Sequence, residues 1–344
     1  MTKRQILIFI LVILVLLGVI FQKPLMTHFK IILFISEQFP QISIKPLGLL
    51  SKSPTYQRIE LDSVNGKIVG DLFTPNPSTD AQGRSALIVA MGIKTTEDDK
   101  PLILHFADSL ARLGYVVFWP RLEVLDQGQA LPEESETFIK AFEYLEKGPF
   151  INPERISYMG FSVGSSTAMV ASSKSEIRDK VHTLIFFGGY FNIFDYLLSL
   201  STKTFYLGEE KIVWKAAPDA IDHAKGLLEV RGANEILKLF HNKSMEEAEN
   251  LLKEAPEEEI NGLKKYSPSE AVANFKAKIF ILHDKSDTYV PYVESIKLSQ
   301  ILPKEQIKAY HISDLFDHVQ PNRPINVGEL LKLYGFLYKT LSYL

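Results

Sequence analysis

One stretch constrains the fold more than any other: Ile156-Ser157-Tyr158-Met159-Gly160-Phe161-Ser162-Val163-Gly164-Ser165-Ser166. An apolar run that reads as a buried strand ends at Gly160, and a helix-compatible run of small residues follows. Between them lies Gly-x-Ser-x-Gly, the pattern of a sharp strand-to-helix turn that lifts a serine hydroxyl clear of a sheet. The serine of such a turn is backbone-strained, and strand and helix approach so closely that flanking side chains would collide. The helix N-terminus behind Ser162 leaves free N–H groups aimed at any oxyanion forming there. Taken alone, the pattern also fits a Gly-rich turn with an idle serine.

The surrounding rhythm supports the first reading. Ala86 to Met91, Tyr115 to Trp119 and Thr183 to Phe187 are short apolar runs, as expected for strands buried on both faces. Helical periodicity separates them at Pro101 to Leu113 and Glu133 to Lys147. Strand–helix alternation implies a doubly wound, mostly parallel α/β sheet. Ahead of it, Tyr56 to Asp62 and Lys67 to Phe73 flank Asn65-Gly66, a hairpin signal that puts antiparallel strands at one edge. The rhythm breaks near Phe191. Residues 192–270 carry helical, charge-rich stretches and no clear strand, so a helical cap insertion is expected there. Its Phe191, Phe194, Tyr196, Leu197, Leu198 and Phe205 fit either pocket walls or the core of the cap itself. Sheet rhythm resumes with Ala277 to His283, a helix near Val293 to Leu302, a strand at Ile307 to Ile312 and a closing helix at Val327 to Leu341.

At the N-terminus, Lys3 and Arg4 precede Ile6 to Phe21, sixteen residues with no charge. That is slightly under the ~17–25 of a spanning helix, and Gln22 with a snorkelling Lys23 extends it. A cleavable signal peptide is the alternative, but no small-x-small site follows the apolar run. The expected organisation is a transmembrane anchor over 1–24, a juxtamembrane linker over 25–55, an α/β core over 56–191 and 271–344, and the cap over 192–270. Phe29 to Phe39 is again apolar-rich and either follows the membrane or packs on the domain. The basic N-terminus favours a cytoplasmic start and an extracytoplasmic core. With 38 Lys and Arg against 41 Asp and Glu, no basic excess suggests nucleic acid. The lack of cysteine excludes disulfides and thiolate metal sites. No metal or other cofactor is expected.

Doubly wound sheets bind ligands beyond the carboxyl ends of their strands. Three polar residues fall there, in the order Ser162, Asp287 and His318, with Asp284 and His283 beside the second and Asp317 beside the third. Arg121 and Asp126 follow another strand near the same edge and read more simply as a local ion pair. From about Tyr56 to the C-terminus the chain resembles the α/β-hydrolase superfamily. The matching features are Gly160-Phe161-Ser162-Val163-Gly164, the insertion after the next strand, Ser267-Pro268, and the late Asp and His. Relatives often read His-Gly-x-x-Asp-x-x-Val-Pro at the acid strand, where this chain has His283-Asp284-Lys285-Ser286-Asp287-Thr288-Tyr289-Val290-Pro291. The resemblance implies Ser162 as nucleophile, His318 as base and Asp287 as the residue orienting it. Asp284 stands where relatives have glycine. It also implies an oxyanion hole from the backbone N–H of Val163 and of Ile93, after Met91-Gly92, where relatives commonly have His-Gly. The implied reaction is hydrolysis of a small-molecule or lipid-like carboxylic ester through an acyl-serine. A serine peptidase or amidase and an acyltransferase would use the same residues. A non-catalytic, membrane-tethered binding module is the alternative of another class.

Overall fold

The computed structural model describes residues 23–63, 66–76, 83–92, 100–122, 134–241 and 243–344. The core is an eight-stranded sheet, in spatial order β1-β2-β4-β3-β5-β6-β9-β10. The first pair, β1 (Thr55–Ser63) and β2 (Gly66–Thr74), is the antiparallel hairpin expected from Asn65-Gly66. β2 also runs antiparallel to β4, and the remaining pairs are parallel.

Two helical segments come before that hairpin. Residues 23–38 form α1 and Leu47–Leu50 a short α2. Apart from residues 23 and 24, both fall within the expected juxtamembrane segment over 25–55, and of the two readings of Phe29 to Phe39 the structure shows packing on the domain. Ile31, Leu33, Ile35 and Phe39 are buried in the same apolar cluster as the sheet. His28 stacks on Tyr334 and Tyr338, and Lys30 lies over the Tyr115 ring, 4.8 Å from its centroid. The prolines at 40, 46 and 54 interrupt regular structure without detaching the segment. The stretch expected as an anchor lies, apart from residues 23 and 24, outside the described residues. Among the described residues no helix is long and apolar enough to cross a membrane.

Next come β3 (Arg84–Ala90), α3 (Lys100–Arg112), β4 (Val116–Leu122), α4 (Glu134–Glu146), β5 (Ile151–Phe161), α5 (Val163–Ser172) and β6 (Thr183–Phe187). Each strand places apolar side chains on both faces. In β3, Leu87 and Val89 join one cluster, while Ala86, Ile88 and Ala90 join the other. Period-2 alternation between two covered faces makes such strands continuously apolar. The first face is covered by α1, α3 and the C-terminal helix, the second by α4 and α5.

The chain then leaves the sheet at α6 (Ile193–Thr202), whose N-cap Asn192 accepts N–H bonds from Phe194 and Asp195. A hairpin follows, β7 (Thr204–Leu207) with β8 (Glu210–Val213), then α7 (Pro218–Val230), α8 (Asn234–Leu237), α9 (Met245–Glu254), α10 (Glu257–Lys264) and α11 (Pro268–Ala271). The hairpin corrects the strand-free reading of this region. Its strands of four residues are too short for alternation to stand out in the sequence. The insertion has its own apolar cluster, which Val290 and Val293 join from the core side. The sheet is completed by β9 (Lys278–Asp284), α12 (Val293–Ile301), β10 (Ile307–Ser313) and α13 (Val327–Tyr343). Where the chain leaves the sheet, the fully buried Glu294 accepts the N–H groups of Phe191 and Asn192 at 3.0 and 2.8 Å and meets Lys297 at 3.1 Å. Burial pushes its carboxyl up, which Lys297 partly offsets.

Candidate active site

Ser162 sits between β5 and α5 with φ 54° and ψ −138°, a conformation that costs a non-glycine residue about 1–3 kcal/mol. It occupies the N-cap position of α5 but makes no side-chain capping bond. A capping serine normally accepts a helix N–H; here the strained backbone directs Oγ away from the helix. Its N–H donates to the Phe187 carbonyl at 2.8 Å, which fixes the turn to β6. The two glycines are dictated by contact. A Cβ at Gly160 would lie 2.4 Å from Ser165 Cα, and one at Gly164 2.3 Å from the Ala90 carbonyl oxygen. The backbone of Gly92 passes beside the serine, since a Cβ there would meet Ser162 Cβ at 3.2 Å and Val163 N at 3.6 Å. Val163 opens α5, so its N–H has no intrahelical acceptor. Ile93, the expected second oxyanion donor, lies outside the described residues, as does Asp126.

Asp287 and His318 come from the loops after β9 and β10. Asp287 Oδ2 accepts from His318 Nδ1 at 2.7 Å, and Oδ1 accepts the N–H groups of Tyr289 and Val290 at 2.7 and 3.0 Å. The carboxyl is buried. Burial alone would raise its pKa, but the charge and bond of His318, with His283 on the other side, hold it well below the usual carboxylate range. His318 also has a positive φ, 57°. The Tyr289 ring stacks on its imidazole with centroids 4.7 Å apart. Gly188, at φ +67°, keeps open the space in front of the pair: a Cβ there would sit 3.5 Å from Asp287 Oδ2 and 3.7 Å from His318 Cε1.

The neighbouring candidates take other places. Asp284 accepts from Ser286 N at 2.9 Å and Phe316 N at 3.1 Å, lies 3.4 Å from Arg323, and does not touch His318. Burial pushes its carboxyl up to about 6. His283 is fully buried between the Val290 carbonyl, 3.0 Å from Nε2, and the Ser295 hydroxyl, 2.7 Å from Nδ1. Because the carbonyl can only accept, Nε2 carries the proton and Nδ1 accepts from Ser295. That makes His283 scaffold. Asp317 is exposed and pairs through its backbone with Gln320. Arg121 forms a short ion pair with Asp71 over the Trp119 ring.

Ser162 and His318 line one cavity of about 960 Å³. Among the described residues Ser162 Oγ has no hydrogen bond to His318. Such bonds are often long without substrate and close when it binds. The inserted residues 192–270 supply Ile193, Tyr196, Leu197, Ala224 and Tyr266 to the lining, while Phe191 and Phe205 pack in apolar clusters. The insertion is tied directly to the acid loop: Trp214 Nε1 donates to the Asp287 carbonyl at 2.7 Å, and the Tyr289 hydroxyl donates to Asp219 at 2.8 Å. Among the described residues no group of three or more His, Asp or Glu could hold a metal ion. Sequence reasoning missed Tyr289, Gly188 and Trp214. It also missed the walls that α1 and α13 contribute, such as Phe34, Phe39, Phe336 and Leu341.

A mostly parallel sheet with an antiparallel edge, a strained serine between strand and helix, and a late Asp–His pair at neighbouring strand ends define an α/β-hydrolase. The BD-FAE family model matches residues 93–302, more than half of the sequence, and the chain belongs to that family. Solved structures agree on the fold. The 2,6-dihydroxy-pseudo-oxynicotine hydrolase superposes with a TM-score of 0.54 at 14% identity, over 84% of this chain and 68% of that one. Acylaminoacyl peptidase of Pyrococcus horikoshii gives 0.54 at 15% identity, and dipeptidyl peptidase 4 of Porphyromonas gingivalis 0.54 at 14%. These cover 87% and 84% of this chain, which spans only 44% and 35% of the two peptidases. Curated protein sequences yield no match.

Proposed function

We propose that the chain hydrolyses a carboxylic ester through an acyl-serine intermediate. The observation that carries this reading is the shared cavity: a strained serine and an imidazole bonded to a buried carboxylate face the same mostly apolar space. Since His318 Nδ1 is bonded to Asp287, Nε2 is the nitrogen left for the serine. Ser162 Oγ attacks the ester carbonyl carbon while its proton passes to Nε2. The oxyanion that forms is held by the N–H groups of Val163 and Ile93. The carbon–oxygen bond to the alcohol then breaks, and the alcohol leaves with the proton from Nε2. Water repeats the sequence: Nε2 takes its proton, hydroxide adds to the acyl carbon, and Ser162 leaves reprotonated with the free acid as product. Asp287 orients the ring and stabilises the imidazolium in both halves. The apolar lining favours an ester over a peptide, whose backbone would need many polar partners. We also place the core at a membrane, tethered by the apolar N-terminal segment on the extracytoplasmic side.

The test is fluorophosphonate labelling of the full chain beside Ser162→Ala, followed by turnover of p-nitrophenyl esters and matched p-nitroanilides. Label lost in Ser162→Ala and ester turnover well above anilide turnover are expected. No label on folded protein would refute the reaction, and preferred anilide cleavage would replace the ester by an amide.

A further inference from the structure

The cavity is much larger than the chemistry requires. Its volume of about 960 Å³ is at the upper end of the roughly 300–1,000 Å³ typical of ligand pockets. It does not stop at the strand ends. Ile103, Leu110, Ile185, Leu282, Leu333 and Phe336 all line it, and all are buried members of the core cluster between the sheet, α1, α3 and α13. Protein interiors close-pack, and voids larger than a water molecule are few. The part of the cavity that these six residues line is therefore space suited to an apolar ligand rather than to water. The same cavity reaches Ser162 and His318.

We propose that the part of this cavity enclosed by α1, α3 and α13 is an acyl-chain site, and that the ester cleaved is a long-chain lipid. The inference rests on the hydrolase reading above and names its substrate class. The acyl carbonyl lies at Ser162 and the hydrocarbon chain runs back into the core cluster. The wall that α1 provides, with Phe34, Ile35 and Phe39, points to where such a substrate comes from. Another face of α1 leaves Leu25, Met26, Phe29 and Ile32 between 45% and 61% exposed. Positions 25, 29 and 32 fall on one stripe of a helix. The uncharged run Ile6 to Phe21 ends directly before α1. One helix thus walls the chain site and presents an apolar face where the sequence leads toward a bilayer. That arrangement suits a substrate drawn from lipid better than a freely soluble short ester.

The experiment is the kcat/KM series for p-nitrophenyl acetate, butyrate, octanoate and laurate on the full-length chain, with equilibrium binding of a fluorescent long-chain fatty acid measured beside it. Burying a methylene contributes about fourfold per carbon, so octanoate, four methylenes longer, is expected to exceed butyrate by roughly 250-fold. Leu337→Trp, on the half-buried part of the α13 wall, should lower the laurate-to-butyrate ratio at least about tenfold while fluorophosphonate labelling shows the site still assembled. Palmitate should displace the fluorescent acid and butyrate should not. Cleavage of acetate with no rise toward laurate, or an unchanged ratio in Leu337→Trp, overturns the acyl site and leaves ester hydrolysis standing. Tight fatty-acid binding without turnover of any ester overturns the reaction and supports the site.

Discussion

Asp284, the last residue of β9, and Asp287, in the loop after it, are three residues apart, both buried, and only one can serve His318. Replacing each in turn by asparagine separates them. In Asp287→Asn the side-chain oxygen stays where it accepts the N–H groups of Tyr289 and Val290, because an NH₂ there would face two donors. The amide nitrogen must then take the place of Oδ2, 2.7 Å from His318 Nδ1 and 3.3 Å from His283 Nε2, because an imidazole nitrogen can become an acceptor and a backbone N–H cannot. As a donor it forces Nδ1 to accept, which moves the imidazole proton to Nε2, the nitrogen that must take the serine proton. A wrong-tautomer base costs about 10⁴ in kcat, close to 5 kcal/mol of transition-state stabilisation. KM should change little, since the carboxylate is buried away from the cavity lining. Asp284→Asn leaves the His318 bond untouched and disturbs one bond from a backbone donor, the N–H of Phe316 or of Ser286. That is a stability loss of about 1 kcal/mol and a kcat within about tenfold of the parent. The assay is steady-state hydrolysis of one p-nitrophenyl ester, with enzyme concentration fixed by fluorophosphonate titration and folding checked by thermal melts. Equal loss in the two variants, or a greater loss in Asp284→Asn, would refute the assignment of Asp287.

Two further outcomes follow from the contacts. Gly164→Ala drives a Cβ to 2.3 Å from one backbone carbonyl oxygen and 2.4 Å from another, neither able to swing away, so a loss of at least about 1–3 kcal/mol and of labelling is expected. Gly226→Ala, with nothing within 4 Å of its Cβ on α7, should instead stabilise by about 0.5–1 kcal/mol, and urea midpoints compare the two. Asp284 should also leave a signature in pH. Its folded pKa, about 6, lies above the ordinary 3.8, so the folded state holds an extra proton between those values and stability falls as pH rises through that window. Asp287 is shifted the other way, and its contribution is lost only in stronger acid. Urea unfolding at intervals from about pH 4 to 7 should show a steeper downward trend in the parent than in Asp284→Asn, where the buried Glu294 still contributes, and parallel slopes would show that Asp284 is not the group responsible.

How much of this was legible in the sequence depended on how local each signal was. The turn at Ser162 is set by contacts within five residues of chain and their nearest strand, so Gly160 and Gly164 disclose it. Asp287 and His318 were legible because strand ends could be counted and the loops after β9 and β10 lie side by side. The choice of Asp287 over Asp284 came from a family pattern; of the two, Asp287 is the one hydrogen-bonded to His318. Helix α1 was not legible as part of the core. It buries Ile31 and Ile35 while leaving Phe29 and Ile32 outside, and apolar residues on both faces do not tell whether lipid or protein covers them. The cavity gave no sequence signal, because a void is defined by the side chains of distant elements that fail to meet.

Asp284 itself has a structural reason. Among the described residues Ser162, Lys203 and His318 are the non-glycine residues with positive φ, so two of the three strained positions are the proposed nucleophile and base. Strain of about 1–3 kcal/mol persists only where the surroundings over-determine it. At Ser162 the Phe187 bond and the glycine contacts do this. At His318 backbone hydrogen bonds on either side add to the close approach of Gly188. The preceding turn is held by the Phe316 N–H on Asp284, and the following one by the paired backbones of Asp317 and Gln320. A carboxyl costs free energy to bury here, as its raised pKa shows, whereas the glycine common at this position in relatives would cost none. The contact that offsets this cost anchors the loop carrying His318. Asp284→Gly should therefore lower kcat through a mobile His318 while leaving the imidazole–Asp287 bond chemically possible, a milder defect than Asp287→Asn.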